Sequence, residues 1–188
     1  REAAWNHLAA ICRERGEPAQ AAVCQQQAWA LRLAGGCGDR SGETDWHDLL
    51  SGRAQDAILA GDYELAERLL SAALMCERVL PDPAAEAADW GNLGLVALLT
   101  GQHARARSRL ERAAELHRSL NDDWGLASDL LHLAELALVE VEMSRAREQC
   151  RGAWRCIREI DCQGLRMRLA QLLVRIDSHE RRAAIEPS

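Results

Sequence analysis

The chain contains no lysine and no phenylalanine, and only one tyrosine and four prolines. All 23 basic residues are therefore arginine, a bias read as a GC-rich coding effect. The glycine-rich stretch Gly35-Gly36-Cys37-Gly38 lacks the Lys-Ser/Thr pair that a phosphate-binding loop requires. The scarcity of proline leaves long segments free to be helical, and an Ala- and Leu-rich composition favours that outcome. No long apolar run is present. The longest, Leu93 to Leu99, is far too short to cross a bilayer, and no signal peptide is visible. There is no initiator methionine, and Arg1 falls inside an apparent first helix. The expectation is a piece of a longer protein.

What the chain does have is self-similarity. Trp90-Gly91-Asn92-Leu93-Gly94 is followed by Ala97, Gly101, Ala106, Leu110 and Ala113. Forty residues downstream the same frame reads Leu130, Leu133, Ala134, Ala137, Ala146, Cys150, Ala153. Forty upstream it reads Leu50, Ala54, Ala57, Gly61, Tyr63, Ala66, Leu70, Ala73. A further copy reads Trp5, Leu8, Ala9, Cys12, Gly16, Ala21, Gln25, Ala28. The copies begin near residues 2, 47, 87 and 127. A fifth first helix follows from Gln163, with Leu165, Leu169, Leu172, Leu173 and Ile176 at helical spacing.

This W-x2-L-G frame with its trailing A-x3-L-x2-A resembles the tetratricopeptide repeat, a helix-turn-helix unit that stacks on its neighbours. The departures are specific. The aromatic of the second helix stands only at Tyr63, the closing proline is missing, and Val141 replaces the inter-helix glycine of the fourth copy. The period is near 40 rather than the usual length of about 34. The joints Asp122-Asp123-Trp124-Gly125-Leu126 and Asp161-Cys162-Gln163-Gly164-Leu165 resemble those in the sensor or scaffold arms of bacterial multidomain regulators.

The expected fold is all-α: a right-handed α-solenoid superhelix of four helix-turn-helix repeats and a C-terminal capping helix. Helices are expected at 2–15, 17–34, 44–60, 62–79, 84–100, 102–120, 124–140, 142–160 and 163–181, within one repeat domain over 1–182. The repeats span 2–34, 44–79, 84–120 and 124–160. Gly61-Asp62 and Gly101 mark turns within repeats, and Pro81-Asp82-Pro83 and Asn121-Asp122-Asp123 mark joints between them. Aspartate there suits the N-terminus of the next helix. Gly35 to Gly42 reads as a flexible loop, and 183–188 as a disordered tail.

Charge is unevenly spread. Residues 39–100 carry 12 acids against 4 Arg, net −8, and residues 142–182 carry 10 Arg against 6 acids, net +4. Solvated helix faces explain this, as would end-to-end self-association. The seven cysteines lie mostly within expected helices. Cys76 and Cys156 stand two periods apart, the behaviour of small packing residues in a reducing cytoplasm. Cys150, Cys156 and Cys162 are six apart, not the two to four of a usual zinc site.

No HExxH, dinucleotide fingerprint or nucleophile elbow is present, and no enzymatic activity or cofactor is expected. His7 and His132 hold equivalent places but are separated by roughly 30 Å at about 10 Å per stacked pair. His132 with Glu135 suggests a local i, i+3 hydrogen bond or a partner contact. His47, His103, His117 and His179 fall on polar faces. Arg147, Arg151, Arg155 and Arg158 form a stripe on one expected helix, a secondary candidate surface. Interleaved acids and the net −6 argue against direct nucleic-acid binding.

In the resembled family, first helices line a concave groove. The stripe facing it reads Ala3, His7, Ala10, Glu14; Asp48, Gly52, Gln55, Leu59; Ala88, Asn92, Leu95, Leu99; and Ser128, His132, Glu135, Val139. Leu59, Leu95, Leu99 and Val139 then form an apolar ledge flanked by polar Gln55, Asn92, His132 and Glu135. Such a ledge suits a peptide or helix; equally, long helices could bury these leucines against one another. Arg13 is the one cation expected near it. The implied function is protein–protein interaction as the arm of a cytoplasmic bacterial regulator, with no membrane contact. A free-standing adaptor, a self-associating module, or a receptor for a small molecule or oligopeptide are the alternatives.

Overall fold

The computed structural model describes residues 41–77 and 82–185. The first repeat, with His7 and Arg13, and the joint at 78–81 lie outside the described residues. Seven helices and no strand are present among the described residues: α1 Ser41–Ala60, α2 Tyr63–Glu77, α3 Pro83–Leu99, α4 His103–Leu120, α5 Asp123–Val139, α6 Met143–Ile157 and α7 Gln163–Ile185. None of them is long and apolar enough to cross a membrane. Contacts group the chain into two compact units, Arg1–Asp89 and Trp90–Ser188, with the division inside α3.

The helices are set out by a 20-residue rule in the backbone. The carbonyls of Asp62, Asp82, Gln102, Asp122, Glu142 and Cys162 accept the first helical bonds, from the N–H groups of Ala66, Glu86, Ala106, Leu126, Ala146 and Arg166. Three of these starts are capped by aspartate. The Asp62 carboxylate accepts from Leu65 N–H, Asp82 from Ala84 and Ala85, and Asp122 from Trp124 and Gly125. A carboxylate there satisfies otherwise orphaned N–H groups and complements the positive helix end.

The stops recur as regularly. The N–H of Gly61 bonds Ile58 and that of Asp62 bonds Ala57; the same two bonds recur at Gly101–Gln102, Asn121–Asp122 and Val141–Glu142. This double closure requires a left-handed residue, and φ is +77° at Gly61, +72° at Gly101, 56° at Asn121 and 61° at Val141. Glycine and asparagine enter that region readily. Val141 does not, because its branched side chain crowds the backbone.

Burial follows the 40-residue period. Ala66, Ala106 and Ala146 are fully buried, as are Ala73, Ala113 and Ala153, and Ala54 and Ala134. Leu70, Leu110 and Cys150 are buried at a fourth equivalent place. The small residues set close crossings. A Cβ on Gly94, the counterpart of Ala54 and Ala134, would stand 2.6 Å from Leu110 Cγ. In the second unit one apolar cluster joins α4, α5, α6 and α7 through Leu110, Leu131, Ala134, Cys150, Ile157, Leu169 and Leu172, among others.

Three boundaries differ from expectation by three residues or more. Ser41 and Gly42 are helical, so α1 takes up the end of the glycine-rich stretch. Helix α6 stops at Ile157 instead of 160. The Arg166 guanidinium donates to the carbonyls of Ile157, Arg158 and Ile160, giving the freed groups partners. Helix α7 continues to Ile185, beyond the expected end at 181.

An ion pair also repeats. Arg107 on α4 pairs with Glu140, just past α5, and Arg147 on α6 pairs with Glu180 on α7. Both partners step by 40 residues. Arg147 also reaches Asp177 at 2.6 Å. Hydrogen bonds donated to Glu180 and Asp177 favour the charged Arg147 guanidinium and hold its pKa above the ordinary value.

Candidate interaction surface

Leu59, Leu99 and Val139 stand two residues before the left-handed stops at 61, 101 and 141. That position places them on the last turn of α1, α3 and α5, and their exposures are 83%, 49% and 52%. Three equivalent apolar side chains are thus open to solvent at equivalent helix ends. Leu95 is half-buried, Gln55 is exposed and Asn92 is half-buried.

Two members of the expected polar rim behave differently. His132 is buried, and its Nδ1 has no hydrogen-bond partner. Burial, with Arg168 adding repulsion, pulls its pKa down to about 3, so the ring is neutral. The expected His132–Glu135 pair does not form. Glu135 instead accepts two bonds from Arg168 of α7, Nε at 3.1 Å and Nη2 at 2.9 Å. The reason for the burial lies in the period: the counterpart of His132 on α7 is Leu172, also fully buried. This place in the stripe is a packing position. Arg168 is the counterpart of Ser128, one period on, and it adds a cation the expectation of Arg13 alone omitted.

The arginine stripe is divided. Arg147 is tied to Asp177 and Glu180. Arg151 and Arg155 are exposed on α6 with no ion pair to a described residue, and Arg158 lies at the C-cap beside Glu159.

Two histidines expected on polar faces are engaged instead. His117 is buried, its Nδ1 2.7 Å from Asp129 Oδ2, with Asp122 3.6 Å from Nε2. Burial alone would lower its pKa, but the Asp129 bond and the two carboxylate charges carry it above the ordinary value. Gly125 makes the approach possible, since a Cβ there would lie 2.4 Å from the imidazole. His47 lies 2.9 Å from Asp89, which also accepts from Ser51 at 2.8 Å. Asp89 and Asp129 are counterparts 40 residues apart, and both are buried. Ser51 has Gly91 as its counterpart, and a Cβ on Gly91 would stand 2.8 Å from Asp129 Oδ1. The same buried carboxylate is satisfied by a serine and histidine on the preceding first helix in one case, and by a histidine of the preceding second helix in the other. Both nodes act as joints between helices.

Cys150 is buried, Cys156 and Cys162 are half-buried, and all three are free thiols. Burial pushes the Cys150 and Cys156 thiols up, which disfavours the reactive thiolate. No family model matches this chain, and a search of curated proteins finds no match.

Proposed function

We propose that this chain is a protein-interaction scaffold of tetratricopeptide-like repeats, coiled as a right-handed superhelix, that serves as the sensor or scaffold arm of a cytoplasmic bacterial regulator. The observation that carries the reading is the recurrence of exposed Leu59, Leu99 and Val139 at one place in successive repeats. Apolar side chains left open at equivalent positions cost solvation in each copy, and a docking partner would recover about 25 cal/mol per Å² covered. Glu135, held by Arg168, and Asn92 are polar residues at the neighbouring places of the same repeated stripe, available for specificity. The ligand is a peptide or helix of another protein, not nucleic acid or lipid.

The test is capture of the partner from the native host. Leu99→Asp with Val139→Asp should abolish capture while circular dichroism stays near wild type, because both side chains are about half open already. Retained capture by the folded double variant would move the contact elsewhere, with the Arg151 and Arg155 surface next. Loss of helical signal would mean that these residues are core.

A further inference from the structure

Helix α7 stands in the place of a first helix. Its buried residues Leu165, Leu169, Leu172 and Ile176 are the 40-residue counterparts of Gly125, Asp129, His132 and Leu136 on α5. All eight are buried, so both helices pack backwards through the same face. The opposite face of α5 carries Ala127, Leu130 and Ala134, all buried, and Leu130 lies 3.1 Å from where a Cβ on Gly152 of α6 would stand. That face is covered by a second helix. The counterparts on α7 are Met167, Ala170 and Val174. They are exposed, Met167 at 58% and Val174 at 65%. A helix face left to solvent is ordinarily polar. This one presents a stripe of apolar and small residues where a helix could approach closely.

The charge beside the stripe selects the occupant. Arg175, Arg181 and Arg182 are exposed and make no ion pair to a described residue, whereas the acids of the same stretch, Asp177 and Glu180, are held by Arg147. The open face is therefore bordered by uncompensated positive charge. A second copy of α7 would set arginine against arginine. We propose that the Met167–Ala170–Val174 face of α7 binds an acidic amphipathic helix of a partner protein, which seats on it as α6 seats on α5. The inference rests on the repeat register and not on the ledge at Leu99 and Val139, so the two can fail separately.

The chain itself supplies the probe. A synthetic peptide of residues 62–77 carries the second-helix signature Ala66, Leu70, Ala73 with four acids and one Arg, net −3. A peptide of residues 142–157 carries Ala146, Cys150, Ala153 with four Arg and two acids, net +2. Each is labelled with fluorescein and titrated with the full chain under reductant, and anisotropy is read. The acidic peptide should bind saturably and at least roughly tenfold more tightly than the basic one, a difference that added salt diminishes. Val174→Glu, at an exposed position, should weaken the acidic peptide by at least about tenfold with unchanged circular dichroism. Leu99→Asp with Val139→Asp should leave it unaffected. Absence of saturation, equal binding of both peptides, or indifference to Val174→Glu would overturn the proposal. So would light scattering showing a dimer of the chain that Val174→Glu dissolves, since the occupant would then be a second copy.

Discussion

Helices α5 and α7 hold the same place in the 40-residue period, yet they are built by opposite rules. Helix α5 is covered on both faces and places Gly125, Asp129 and His132 on the backward one. Helix α7 is covered on one face and places Leu165, Leu169 and Leu172 there. A helix held from one side has to draw its attachment from that side, and each fully buried leucine contributes about 1.5–3 kcal/mol. A helix held from both sides can carry a buried ion pair on one of them, a feature that is close to neutral when complete and costly when broken. The lesson is that polar residues enter this core where flanking packing is already sufficient.

The largest effect is expected at Asp129. Asp129→Ala leaves His117 buried beside the space of its partner and should destabilise the fold by about 3–5 kcal/mol in urea melts. Copying the other helix should rescue it. Asp129→Leu with His117→Ile reproduces Leu169 and Ile157, the counterparts one period on, and should return most of the loss. A double variant as unstable as the single one would mean that the site is shaped for the ion pair rather than merely tolerant of it.

Next is the pH response of His132. Its folded pKa, near 3, lies below the ordinary 6.5. The unfolded chain therefore takes up a proton first as pH falls, and stability declines from about pH 6.5 downward. At pH 5 the difference amounts to about 2 kcal/mol, at 1.36 kcal/mol per pH unit. His132→Leu, which copies Leu172, should remove that decline and leave neutral-pH stability near wild type. His117 works in the opposite sense. Its raised pKa gives stability that is complete below 6.5 and is lost as pH rises through the folded value. The wild-type profile should therefore fall on both sides of a maximum near pH 6–7, and the His132→Leu profile only on the alkaline side.

The smallest effect concerns the turn that ends α5. Val141→Gly restores the residue that Gly61 and Gly101 supply at the same place, and should stabilise by about 1 kcal/mol or less. Part of the relief is offset by the greater freedom of glycine in the unfolded chain. A thermal melt that shifts downward would show that the valine side chain makes a contact worth more than its backbone strain.

Much of this arrangement was legible in the residues. Ala66, Ala106 and Ala146 announce the period because only a small residue fits each crossing, and composition repeats wherever packing does. Gly61, Gly101 and Asp122 announce the turns because backbone geometry restricts what can stand there. The His117–Asp129 bond was not legible. It joins two helices through a gap that Gly125 opens, and no spacing rule links residues across that gap. The burial of His132 and the arrival of Arg168 were readable in principle by stepping the inner stripe one further period, to Arg168, Leu172, Arg175 and His179. Leucine at the second place marks it as packing. Exposure at Leu59, Leu99 and Val139 was beyond the pattern alone, since an apolar residue at a helix end reads alike whether covered or open.

The equivalence of α5 and α7, with one face covered and its counterpart bare, is tested most directly by one pair of denaturation curves. Ala134 and Val174 are counterparts, the first fully buried and the second 65% exposed. Ala134→Leu should overpack the α5–α6 crossing and lower stability by roughly 1–3 kcal/mol. Val174→Leu should change it by less than about 0.5 kcal/mol. Equal shifts in the two variants would contradict the account, because they would mean either that Val174 is covered or that Ala134 does not stand at the crossing.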